Sequence, residues 1–255
     1  MNIVVLIKQV PDLVEGIEIN STGKDLDREW LKLKFNEFDD HALEEALILK
    51  EEAGAVVTAM AIDAGEETDK LLFTAAAKGA DKIVKVTGSF GTAISTHEAA
   101  KAFSNVLSSV KYDLVLTGVQ AIDDRDGQLS VILASYLGIP NVSVVTEVKI
   151  NGSNITINKE FGGGLMAEYE APAPLVLGIQ AARQTPRYVP VARVRQVTRS
   201  ATLEEAAAGD LEVNSGSEII RYFKPESVGS AKRIAGTPAE QAQKIVELLK
   251  ANGIK

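Results

Sequence analysis

Along the first 140 residues, short continuous apolar runs alternate with stretches of helical spacing. Ile3–Ile7 is apolar throughout, as a strand buried on both faces must be, whereas HALEEALILK (His41–Lys50) spaces its apolar residues for one face of a helix. Val56–Ile62 predicts a second strand and Thr68–Lys78 a second helix, closed by Gly79, whose free φ suits the position after a helix. Lys82–Val86 predicts a third strand, Thr96–Ser109 a helix and Leu114–Thr117 a fourth strand. Strand and helix in strict alternation indicate an α/β fold with a doubly wound, mainly parallel sheet.

The pattern changes after Pro140. Val142–Lys149, Asn154–Asn158 and the segment around Leu165–Tyr169 are short and alternating, separated by Asn151-Gly152 and by Gly162-Gly163-Gly164. Asn-Gly between alternating segments is a hairpin signal, so an antiparallel extension is expected at about 142–170, returning through Leu175–Ile179 to the main sheet. Residues 183–199 then hold five arginines, two prolines and no acid, and predict an extended, exposed strip. The acidic stretch Thr202–Glu218 is expected as loop. Thr237-Pro238-Ala239-Glu240 is a capping box with Pro at the first helical position, opening a final amphipathic helix that Asn252-Gly253 ends. The expected organisation is an α/β domain over 1–182 and an arm over 183–255.

Composition narrows the function classes. The 255 residues are 45% apolar, enough for a sizeable core. The absence of Cys excludes disulfides, thiol catalysis and Cys-based zinc, and two histidines, His41 and His97, do not make a His-rich metal centre. The net charge of −8 speaks against a nucleic-acid protein. MNIVVLIKQVPD lacks a basic n-region, and its five-residue apolar run is too short for a signal or membrane segment. A cytoplasmic protein without direct membrane insertion is expected.

Candidate chemistry concentrates at the carboxyl ends of the expected strands. The loop GVQAIDDRDGQ (118–128) runs from a strand into a helix N-terminus, where free N–H groups and the helix dipole favour an anion. Taken alone it reads either as a solvated acidic loop or as such a site. It is neither a Walker A nor a GxGxxG sequence. Because carboxylates repel phosphate, Asp123, Asp124 and Asp126 are expected to hold the loop or cap the helix. Asn36-Glu37-Phe38-Asp39 reads as an N-cap with acids near the positive helix end. Lys8-Gln9-Val10-Pro11 sits at the carboxyl edge of the first strand, with Pro11 as a turn residue. The arginine strip reads as a docking surface for an acidic protein or as a solvated loop. No GxSxG, carboxylate pair or redox thiol supports catalysis.

These segments, in order, resemble the beta subunit of electron transfer flavoprotein over nearly the whole chain. IVVLIKQVPD resembles the family's opening strand with its V-K-x-V turn. Asn36-Glu37-Phe38-Asp39 with HALEEALILK resembles N-P-F-D-x-x-A-x-E-E-A, and AAAKGADKIV (75–84) resembles A-L-A-M-G-A-D. GVQAIDDRDGQ resembles the Q-A-I-D-D motif, and Thr185-Pro186-Arg187-Tyr188 resembles (N/E)-P-R-Y.

The resemblance implies a Rossmann-like, adenine-nucleotide-binding fold and a non-catalytic electron carrier, paired with an alpha subunit that carries most of the contacts to FAD. Electrons would pass from dehydrogenases through that FAD to a membrane quinone reductase or other acceptor. The beta chain would bind AMP or a second FAD through Leu6, Asn36, Glu37, Phe38, Asp39, Ile62, Gly118, Val119, Gln120, Ala121, Ile122, Asp123, Asp124, Arg125, Asp126, Gly127, Gln128 and Leu129. An acyl-CoA dehydrogenase or other redox partner would dock on Arg187, Tyr188, Val191, Arg193 and Arg195, with Val191 standing where the family has an anchoring Leu. Leu129 stands where AMP-binding members carry a Thr hydroxyl, Asp124 where electron-bifurcating members carry Gly, and Glu37 where Pro is usual. The alternatives are a stand-alone nucleotide module of the universal-stress type and an ATP pyrophosphatase, the latter requiring a phosphate-gripping loop after the first strand.

Overall fold

A computed structural model describes residues 1–90, 94–152, 154–211, 219–226, 229 and 231–254. The chain divides into two compact units, 1–222 and 223–255.

The first unit is built on a nine-stranded sheet. Its strands are β1 (Asn2–Leu6), β4 (Val56–Ile62), β5 (Lys82–Thr87), β6 (Leu114–Gly118), β7 (Asn141–Asn151), β8 (Asn154–Phe161), β9 (Leu165–Pro172), β10 (Leu175–Ile179) and β11 (Leu203–Ala207), in the spatial order β11-β5-β4-β1-β6-β10-β7-β8-β9. A separate antiparallel ribbon pairs β2 (Gln9–Pro11) with β3 (Leu33–Phe35). From β11 to β10 every pairing is parallel. The expected α/β fold with a mainly parallel, doubly wound sheet is therefore present.

The helices are α1 (Glu37–Ala53), α2 (Glu66–Lys78), α3 (Thr96–Leu107), α4 (Leu129–Leu137) and α5 (Val191–Thr198). The two-residue period of β1 decides how they are laid down. Ile3, Val5 and Ile7 join α1 and α2 in one core cluster, while Val4 and Leu6 join α3 and α4 in another. A sheet covered on both faces explains the continuous apolar runs. Local signals fix the helix ends: Gly54 closes α1 with φ 66°, a left-handed geometry that favours glycine, and Ser95 with Glu98 forms a capping box on α3.

The expected antiparallel extension is present as β7–β8–β9. Asn151 pairs with Asn154 across the Asn-Gly turn, and the three-glycine turn carries the chain from β8 into β9. Strand β7 is parallel to β10 over its first half before it joins the hairpin with β8. Its register against β10 shifts next to Val144, whose φ is +64°.

Two expectations are corrected. Residues 191–198 are not extended but form α5, opened by Pro190 at its N-cap; arginine is a good helix former, and the composition of the strip hides that. The strip is also not uniformly exposed, because Arg183 and Arg187 are drawn onto acids of α1. Thr202–Glu218 is not all loop, since LEEAA (203–207) is a strand parallel to β5; an edge strand with one wet face carries charges that mask it. Residues 212–218 of that stretch lie outside the described residues.

The second unit contains α6 (Pro238–Ala251), and the expected capping box of Thr237 and Glu240 is formed. Within it, Ile245, Leu248 and Leu249 are exposed.

Candidate functional site

From β1 the chain winds through β4 and β5 toward one edge of the sheet, while β6, β10 and β7 extend toward the other. The order therefore reverses between β1 and β6, and the crevice at the carboxyl ends of such a pair is where open α/β sheets bind ligands. The residues there are Lys8 after β1, Gly118 ending β6, and Asn36 to Asp39 at the start of α1.

Asp39 ties these pieces together. It is buried, and its two carboxylate oxygens accept from the Lys8 N–H (2.9 Å) and the Gly118 N–H (3.0 Å). One side chain thus straps the ends of the two strands that flank the switch point. Burial pushes the Asp39 carboxyl up to about 7, against the pull of the Lys8 and Gly118 amides and the Asn36 side chain. Gly118 has no alternative: a Cβ there would sit 2.4 Å from Asp39 Oδ1 and 2.7 Å from Phe38 Cβ.

Asn36 occupies the N-cap position of α1, but its side chain does not cap the helix. Its Nδ2 instead donates to the carbonyl of Gln120 (3.0 Å), joining the helix start to the 118–128 loop. Glu37 is exposed and Phe38 half-buried. The capping reading of Asn36–Asp39 is therefore corrected in part: the position is right, while the Asn36 and Asp39 side chains serve the neighbouring loops.

The loop is cinched from within. Val119 donates its N–H to Ile179, the Arg125 N–H reaches Ala121 O (2.8 Å), and Gln120 Nε2 donates to Arg125 O (2.7 Å). Arg125 takes φ 56° and Gly127 φ 64° to close the turn. Ala121 is buried beneath it and Ile122 is exposed.

The acids do hold the loop. Lys8 Nζ meets Asp123 Oδ1 (2.9 Å) and Asp124 Oδ2 (3.1 Å). Burial works to lower the Lys8 pKa, but the two carboxylates outweigh it and raise it. For Asp124, burial wins over Lys8 and moves the carboxyl up. Asp126 accepts from Thr96 Oγ1 and, more weakly, from the Gln128 N–H (3.3 Å). Gln128 gives α4 no side-chain cap, so the first-turn amides of α4 receive no side-chain oxygen from their own N-cap. Leu129 is half-buried at that first turn, over the core cluster of α3 and α4.

An anion at this place would meet a helix N-terminus and a lysine that offsets two of the three loop acids. Leu6 lies buried at the end of β1, and Ile62 is half-buried at the end of β4, the neighbouring strand. The uncapped helix start and Lys8 suit an anionic group. Lys8 is the residue that sequence reasoning underused: its place at the strand's carboxyl edge was visible, its partners 115 and 116 residues away were not.

The residues expected to dock a partner form a separate group, and among the described residues no hydrogen bond or ion pair joins them to the loop. The Arg187 guanidinium is committed to Glu44 and Glu51. Tyr188 is 84% exposed and Val191 63% exposed. Arg193 is exposed and bonds Gln196, its neighbour on α5, and Arg195 is exposed on the same helix. His41 accepts the Ala182 N–H at Nδ1 (3.2 Å), and His97 is exposed. Among the described residues no group of His, Cys, Asp and Glu is arranged to hold a metal ion, and no helix is long and apolar enough to cross a membrane.

Residues 26–211 match the family model described as electron transfer flavoprotein domain. The electron transfer flavoprotein subunit beta of Methylophilus methylotrophus is 32% identical over 98% of this chain and 98% of its own. The subunit beta of Bacillus subtilis is 31% identical over the same shares, and that of Clostridium acetobutylicum 35% identical over 76% of this chain and 74% of its own.

Proposed function

From the premise that this chain belongs to the electron transfer flavoprotein family, on the side of its beta subunits, we propose that it is the non-catalytic half of a heterodimeric electron carrier and binds an adenine nucleotide at the β1/β6 crevice. Its partner is the alpha subunit, and the complex carries FAD. FAD supplies reversible redox chemistry when bound. The task of this chain is to wall the shared pocket, to hold its own nucleotide, AMP or a second FAD, and to present a docking strip.

The observation that carries the reading is the Asp39 strap between Lys8 and Gly118. It ties the two strand ends at the switch point, where the 118–128 loop leads on to the uncapped start of α4. Ile62, packed against the core cluster that buries Leu6, would face the base. Asn36 and Gln120, joined to each other, would shape the wall, and the amides from Gly127 to Leu129 would meet phosphate. Lys8 keeps Asp123 and Asp124 from repelling it.

Electron delivery would come from an acyl-CoA dehydrogenase or comparable donor docking at Tyr188 and Val191, and would continue to a membrane quinone reductase or other acceptor. The universal-stress and ATP pyrophosphatase readings lose ground because this chain matches the flavoprotein relatives almost end to end. Denaturing the purified heterodimer and counting released nucleotides tests the proposal. One FAD with one AMP, or two FAD, is expected; a complex without flavin would overturn it.

A further inference from the structure

Two adjacent glutamates on α1, Glu44 and Glu45, are 3% and 0% exposed, and each is joined to an arginine of the 183–187 segment. Arg187 Nε and Nη2 fork onto the Glu44 carboxylate (2.8–3.1 Å), and its Nη1 reaches Glu51 (2.8 Å). Arg183 Nε meets Glu45 (2.9 Å), while its Nη1 and Nη2 fork onto Glu52 (2.9 and 3.0 Å). The partners within each pair of acids are seven apart, two turns along one helix face, so the two clamps run side by side. Each clamp also grips the main chain. The Arg187 N–H donates to Glu44 (2.9 Å), and the Arg183 N–H donates to Glu45 (3.0 Å).

Such an arrangement is a poor device for stability alone. Burying two carboxylates on neighbouring positions costs desolvation, and apolar packing of the same volume does as well or better. What the forked geometry supplies is direction, because a guanidinium paired on both edges and bonded at its own backbone has one orientation. The very next residue is Tyr188, and Val191 follows at the start of α5, the two most exposed large apolar side chains between β10 and β11.

We propose that Glu44 and Glu45 are positioning residues for electron delivery: by clamping Arg187 and Arg183 they fix the segment that offers Tyr188 and Val191 to the redox partner. The inference rests on the docking reading of Val191 given above. Neither glutamate touches the partner. Their effect travels through the arginines, and the same helix holds the nucleotide loops at its other end through Asn36 and Asp39.

The test uses the heterodimer with Glu44→Gln, Arg187→Lys, Glu51→Gln, Val191→Ala and the Glu44→Gln/Val191→Ala double variant. An acyl-CoA dehydrogenase reduced by octanoyl-CoA is the electron source. Glu44→Gln is expected to speed amide exchange over residues 188–198 by about fivefold or more, and to raise KM for the dehydrogenase by about three- to tenfold with kcat and flavin content unchanged. Arg187→Lys keeps the charge, loses the fork and should do the same, which covers a Glu44→Gln chain that fails to fold. Glu51→Gln, at the exposed end of the clamp, should give a smaller change of the same kind. The double variant should raise KM by less than the product of the two single effects, since the clamp acts in part through that side chain. Unchanged exchange in both Glu44→Gln and Arg187→Lys would overturn the inference. So would faster exchange with an unchanged KM, provided Val191→Ala raises KM, and the docking reading would then stand. If Val191→Ala leaves KM unchanged, the docking reading falls and the inference with it.

Discussion

Asp39 is one residue on which two demands meet, since it must be buried to reach both strands and charged to accept from both amides. Burial prevails, and its carboxyl titrates at about 7. The sign of the consequence follows from linkage. A carboxyl raised above its unfolded value binds its proton more tightly in the folded chain, so it contributes stability below the unfolded pKa and loses that contribution as pH rises toward the folded pKa. Wild type should therefore lose on the order of 2 kcal/mol relative to Asp39→Asn between about pH 5 and about pH 8, measured by urea unfolding of the two proteins at each pH. Parallel pH profiles would show that Asp39 does not titrate in this range. Lys8 gives a second expectation. Lys8→Met leaves Asp123 and Asp124 facing the anion uncompensated, and should weaken retention of the second nucleotide by about tenfold or more, read by dialysis of the heterodimer. The sequence displayed Lys8 and the acids as separate features; that they neutralise one another is a contact across the switch point which spacing does not encode.

At the scale of elements, legibility followed the origin of each signal. Strands buried on both faces and the Thr237 box were readable because their determinants lie within a few residues; the Ser95 box on α3 is equally local, though that helix is read from its spacing alone. Ser95→Ala should cost about 1 kcal/mol in urea unfolding, the usual worth of such a cap. The elements that escaped are those whose partners are remote: α5 follows a segment held by acids about 140 positions earlier, and β11 pairs as an edge strand with β5. Val144 belongs to this group. It is a β-branched residue with φ +64° at the register shift of β7 against β10, where the strand turns from a parallel neighbour to its hairpin. Its backbone is strained in a way glycine would relieve. Val144→Gly is expected to change stability by less than about 1 kcal/mol, whereas Val145→Ala, at a fully buried neighbour, should cost about 2 kcal/mol. A larger loss in Val144→Gly than in Val145→Ala would refute the strain argument.

For the molecule as a whole, one helix organises the account. α1 straps the β1/β6 crevice at its start and clamps the 183–187 segment along its middle, while the sheet beneath it holds both in register. The doubly wound order could be read from alternation alone, and with it the strand ends at which sheets of this kind bind ligands. The identity of the ligand could not be read from that order, because fold does not carry function and the loop bears no nucleotide fingerprint of the common kinds. That step depends on the family. The claim that joins fold to family is that the second nucleotide lies between β1 and β6 of this chain, and amide hydrogen exchange of the heterodimer, before and after that nucleotide is stripped, tests it most directly. Nucleotide-dependent protection is expected in Lys8–Val10, Asn36–Asp40 and Gly118–Val131. Protection confined to other segments, or exchange in these three that does not change when the nucleotide leaves, would contradict it.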